Sequence, residues 1–185
     1  HEVFRPAGRI SMLPVGQVSA NNLGELRVLQ ESAAQAVQGG GEPRDGNREE
    51  GPTRRCDNAV AYDSTHQAVV SFGGYDGNFL RDTWTWNGTW LQKSTTGPSA
   101  RADASIPFDP TDGTATLFGG LAGSVVQQDT WRWNGTAWIQ LAPLTVPPAR
   151  WIHRAAYDAA RDESVFFGGA ASPNIVRGDM WAWKG

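Results

Sequence analysis

Apolar positions recur along this chain with two different periods. Between Leu23 and Gln38 they fall at Leu23, Leu26, Leu29, Ala33, Ala36 and Val37. That spacing lines one face of a helix and predicts one over about 23–38. Asn22 followed by Glu25 is a capping-box signal, and Gly39-Gly40-Gly41 is a stop. Ahead of the helix, Val3-Phe4 and Ile10 to Val18 each predict a short strand, limited by Pro6 and Pro14. Residues 39–53 carry Gly, Pro and charge with no aliphatic side chain, and read as a flexible linker. From residue 54 onward the pattern changes to short apolar runs and alternating positions, which is strand patterning.

The second part repeats. With Arg55, Arg101 and Arg150 aligned, the pairs Gly73-Gly74, Gly119-Gly120 and Gly168-Gly169 each begin 18 residues later. An apolar run precedes each pair: Val69 to Phe72, Ala115 to Phe118, Ser164 to Phe167. Each is followed, after a variable loop, by Asp-x-Trp-x-Trp (82–86, 129–133, 179–183). Periods of 46 and 49 residues with this patterning predict a blade or solenoid unit. Each unit reads as four strands. The first ends at Tyr62-Asp63, Phe108-Asp109 or Tyr157-Asp158, and the second at the double glycine. The third is Trp-x-Trp, with both indoles on one face of the pleat. Asn87-Gly88 and Asn134-Gly135 suit a type I′ turn into a fourth strand carrying Trp90 or Trp138. The third unit stops at Gly185 without its fourth strand or outer Trp.

A strand ending in Gly-Gly, a variable loop and spaced aromatics before a turn resemble the kelch repeat, in its bacterial Trp-x-Trp-Asn-Gly form. The resemblance covers 54–185 and not 1–53. It implies an all-β chain of kelch-type β-propeller blades at 54–100, 101–149 and 150–185, after a short N-terminal segment (1–38) containing the one helix. Three repeats fall short of the usual ring of about 4–8 blades. Closure has three routes: a homodimer making a six-bladed ring, packing of the N-terminal segment over an incomplete propeller, or further chain. In the first, residues 3–18 of either chain supply the missing strand.

Composition narrows the function classes. Sixteen basic against 19 acidic residues give a net charge of −3 and a pI near 5.6, so no basic face awaits nucleic acid. Cys56 alone cannot form an intramolecular disulfide. Neither a cleavable signal nor a membrane-spanning run is visible. Motifs for nucleophile elbows, zincins, paired Cys-x-x-Cys, P-loops and dinucleotide folds are missing. All nine tryptophans lie between Trp84 and Trp183, and eight belong to the repeat, which assigns them to the core between blades.

Two sets of residues are candidates for chemistry. The first strands of propeller blades line the central channel, which places Asp57, Asp103, Arg101, Arg150, Arg154 and His153 there. One reading has these arginines and aspartates pairing with each other or with loop carbonyls. The other has Asp57 and Asp103 holding Ca²⁺ with His153 as base, in a metal-assisted hydrolase for a small ester or lactone. The loops after the double glycines form the second set, with Tyr75, Asp76, Asn78 and Phe79 as contacts and Arg177 for an anion. Loops on a rigid scaffold favour recognition of a protein or small-molecule ligand. The family resemblance adds to that expectation, since kelch proteins mostly work by interaction.

Overall fold

The computed structural model describes residues 3–6 and 51–185, and in them the protein is all-β. The expected helix over 23–38 and the strand within 10–18 lie outside the described residues. The chain enters with β1 (Val3–Pro6). The first sheet is β2 (Ala59–Asp63), β3 (Ala68–Phe72), β4 (Thr83–Trp86) and β5 (Trp90–Ser94), antiparallel and in chain order. The second begins with β6 (Phe108–Asp109) and β7 (Thr114–Phe118). A small hairpin follows, β8 (Leu121–Ala122) with β9 (Val125–Val126), before β10 (Thr130–Trp133) and β11 (Trp138–Leu141) complete that sheet. The third opens with β12 (Arg154–Asp158) and β13 (Glu163–Phe167). Its own hairpin, β14 (Ala170–Ser172) with β15 (Ile175–Val176), leads to β16 (Met180–Lys184). Among the described residues no ladder joins the first sheet to the third.

The third sheet's fourth strand is β1, antiparallel to β16. Phe4 opposes Trp183 there, as Trp90 opposes Trp86 and Trp138 opposes Trp133 in the other sheets. Phe4 therefore stands where the repeat otherwise places its outer tryptophan. Its ring lies 4.6 Å from Trp183 and 5.4 Å from Phe118, while Trp138 lies 5.3 Å from Trp133 and 5.1 Å from Phe72. The missing strand is thus supplied from residues 3–18 of the same chain.

Alternation along each strand sends one set of side chains to the preceding sheet and the other to the following one. Val70 and Phe72 pack on Ile106, Phe108, Ala115, Leu117 and Trp133, forming the core between first and second sheets. Phe118 turns the other way and meets Phe4, Phe166 and Trp183. Trp131 and Trp133 share a face, as the Trp-x-Trp spacing requires.

The hairpin turns differ from the sequence expectation. They are not type I′, because only Gly88 and Gly135 have positive φ, 117° and 90°, and neither asparagine does. Pairing of Trp86 with Trp90 and of Trp133 with Trp138 leaves three- and four-residue loops rather than two. In the second, Asn134 Oδ1 accepts from the amides of Thr136 and Ala137. At the end of the stretch read as a linker, Thr53 binds Arg55 as Ser99 binds Arg101, which ties it to the first repeat.

Candidate functional site

One clasp recurs at the same place in all three repeats. The Arg55 guanidinium donates to both oxygens of Asp82, to the Gly73 carbonyl, and to the Thr53 carbonyl and hydroxyl. Arg101 repeats this with Asp129, Gly119 and Ser99, so in both cases all five N–H groups are used. Arg150 holds Asp179, Gly168 and the Pro148 carbonyl, and lacks the hydroxyl because proline stands at that position. An indole N–H completes each clasp: Trp84 to Asp82, Trp131 to Asp129 and Trp181 to Asp179. Burial works to raise these carboxyls, but the guanidinium and indole outweigh it. Asp82 and Asp129 are lowered and Asp179 falls to about 2. Arg101 and Arg150, candidates for ligand contact, have fully buried side chains. All five donors of Arg101 and four of the five of Arg150 are committed to the fold, and burial keeps both guanidiniums away from a ligand in solvent.

Two residues past each arginine the backbone turns left-handed, at Asp57 (φ 56°), Asp103 (57°) and Ile152 (51°). These residues bond in series from repeat to repeat, Asp103 N to Asp57 O at 2.8 Å and Ile152 N to Asp103 O at 3.1 Å. Asp57 and Asp103 are thereby brought together. Burial raises the Asp103 carboxyl, and the Asp57 charge adds to it against Arg154. Cys56 is raised mainly by its hydrogen bond with Asp57. Among the described residues no group of three or more His, Cys, Asp or Glu side chains is arranged to hold a metal ion.

His153 lies one residue further on, fully buried between Phe118 and Phe166. Its Nε2 sits 2.6 Å from Ser105 Oγ, and its Nδ1 has no partner among the described residues. Burial first, then the Arg150 and Arg154 charges, push its pKa to about 3. An imidazole so reluctant to take a proton is a poor general base at neutral pH. Arg154 itself is exposed and bonds the His153 carbonyl.

The second candidate set lies at the opposite ends of the strands from the Asn-Gly turns. Tyr75 bridges Cys56 and pairs with Phe79, ring to ring at 5.2 Å. Asp76 accepts from Thr53 Oγ1 and the Asn78 amide, which folds 75–79 into a tight hairpin. Leu121 bridges Ala102, and Ala170 bridges Trp151, so all three repeats raise a hairpin from the same backbone position. Their flanking strands expose apolar side chains at Tyr75, Val125, Ile175 and Val176. Arg177 Nε reaches back to the Ala149 carbonyl. The candidate loops read from the sequence, Leu121 to Gln128 and Ala170 to Arg177, contain the valines and the isoleucine without singling them out, although Leu-Ala-Gly-Ser-Val-Val (121–126) already shows an apolar pair, a turn and an apolar pair.

At the other end, a pocket of about 330 Å³ lies between the first and second sheets, lined by Asp63, His66, Asn87, Trp90, Lys93 and Trp133. Asp63 fixes His66 through both its amide and its Nδ1. No protein-family model matches the sequence, and no curated protein is significantly similar to it. Among the described residues no helix is long and apolar enough to cross a membrane.

Proposed function

We propose that the three sheets are kelch-type β-propeller blades and that the protein is a non-catalytic interaction module. Its binding surface is the row of hairpins at 75–79, 121–126 and 170–176. One observation carries this reading: three hairpins rise from one repeated backbone position and each leaves apolar side chains in solvent. Exposed apolar residues grouped on a rigid scaffold favour a protein partner with a complementary apolar segment. Asp76 and Arg177 stand beside them for polar selectivity.

Selection of a displayed peptide library on the purified chain tests it. Selected peptides should lose at least about tenfold in affinity against Val125→Glu combined with Val176→Glu. They should be indifferent to Ile139→Glu on an outer strand. Peptides that ignore the double variant would sink the reading.

A second reading, calcium-assisted hydrolysis of a small ester or lactone, rests on the mutual repulsion of Asp57 and Asp103, which a divalent cation would relieve. Against it stands His153, too buried to act as base. A panel of p-nitrophenyl esters and lactones should show no turnover above background with or without Ca²⁺. Calcium-dependent turnover lost in Asp103→Asn would favour the hydrolase instead.

A further inference from the structure

Equivalent residues in the three repeats do not share the same surroundings, and the differences fall at the two ends of the series. Just before the double glycines, Phe72 and Phe118 are 1% and 0% exposed, each packed on the following sheet, whereas Phe167 is 53% exposed. On the opposite faces the imbalance is in the first sheet. Val60 is 48% exposed where Ile106 is 4%, and Tyr62 is 58% where Phe108 is 8%. Trp86 is 44% exposed where Trp133 and Trp183 are 1% and 3%.

The backbone shows the same pattern. From the first repeat to the second run Gly74 N to Arg101 O, Arg101 N to Leu80 O, and Asp103 N to Asp57 O. From the second to the third run Gly120 N to Arg150 O, Arg150 N to Gln127 O, and Ile152 N to Asp103 O. The third repeat presents the same set again in Gly169 N, Arg177 O and Ile152 O. The first repeat presents the complement in Arg55 and Asp57. A Cβ on Gly73 or Gly119 would stand 2.5 Å from the carbonyl of Arg101 or Arg150. On Gly168 it would meet only the Arg177 carbonyl of its own repeat, at 3.6 Å, which leaves room for one more arginine carbonyl.

We infer that the third sheet of one chain receives the first sheet of a second copy, head to tail, so that two chains close a ring of six sheets. The inference rests on the reading of the sheets as propeller blades, for which six lies within the closing range of about 4–8. Gly169 N then donates to Arg55 of the partner subunit, and Asp57 of the partner subunit donates to Ile152. Phe167 covers Trp90 of the partner subunit as Phe72 covers Trp138. The occupant is a second copy because the missing half-interface, in matching backbone and aromatic positions, is present on this same chain.

Sedimentation equilibrium of the 185-residue chain should give about twice its 20.0 kDa. Phe167→Glu and Tyr62→Glu should each halve that mass. Both side chains are exposed in the single chain, so an unchanged circular dichroism spectrum is expected with each. Mixing the two variants should restore the pair, since the mixed dimer regains one unaltered interface. A wild-type monomer at tens of micromolar would overturn the inference, as would a series of larger open species. Dissociation by only one of the two substitutions would point to a face pairing with itself and would overturn it too. A monomer that still binds the selected peptides would remove the dimer and leave the interaction reading standing.

Discussion

At the scale of single residues, the clasp explains why arginine, aspartate and tryptophan recur at fixed offsets. Replacing Arg101 by Ala leaves Asp129 and Gly119 O without their shared partner, with only the Trp131 indole still donating to the carboxylate. The expected loss is about 3–5 kcal/mol in urea unfolding. Thr83 and Thr130 occupy equivalent places with different partners. Thr83 Oγ1 accepts from Trp138 Nε1 at 2.8 Å, while Thr130 Oγ1 is buried without a partner among the described residues because Phe4, which has no N–H, stands there. Thr83→Val should therefore cost about 1 kcal/mol or more and Thr130→Val nothing, a difference one pair of melts can read. His153 sets an acid sensitivity. Its folded pKa of about 3 lies below the unfolded value of 6.5, so the unfolded chain binds the proton first. Stability is whole above pH 6.5 and falls as pH drops toward 3, by roughly 2 to 3 kcal/mol at pH 4.5. In His153→Asn that slope should vanish, leaving only the loss below about pH 4 as the depressed clasp aspartates protonate.

At the scale of elements, the double glycines and the N-terminal strand matter most. Gly119 combines a φ of 66° with a carbonyl 2.5 Å from any Cβ, so a side chain there is excluded twice over. Gly123 has a similar φ of 61° but nothing within 4 Å, and its constraint is conformational alone. Phe4→Ala should destabilise the third sheet by about 3–5 kcal/mol in the same urea unfolding, since it removes a ring buried among Phe118, Phe166 and Trp183. The repeat, its strands and its turn ends were legible in the sequence because strand alternation and the offsets Arg, Gly-Gly and Asp-x-Trp are local patterns. The Val3-Phe4 strand was legible too, yet its partner was not. Nothing local tells a four-residue strand that it pairs with Met180–Lys184. The arginines carried two readings in the sequence, ligand contact or structural pairing, and only the bidentate geometry with Asp82, Asp129 and Asp179 separates them.

At the scale of the molecule, the tryptophans divide by position in the series rather than by local sequence. Trp133 and Trp183 are core, while the same Asp-x-Trp-x-Trp position at Trp86 faces solvent because, among the described residues, no sheet packs on that side of the first. A dimer closed through that face makes thermal stability depend on protein concentration. The melting temperature of the wild type should rise over a hundredfold concentration range, and that of Phe167→Glu should stay constant.

Strand β1 has one more consequence, in time rather than in space. The strand is synthesised well before its partner β16, so the third sheet cannot be completed until Met180–Lys184 has left the ribosome. Closing so long a loop is entropically slow. The first two sheets, built from neighbouring segments, can form well before it. Refolding should accordingly show a late phase that buries Phe4 and Trp183. A permuted chain carrying residues 3–6 after Gly185 through an added turn of two or three residues should lose that delay, because the distant pairing has become an ordinary hairpin.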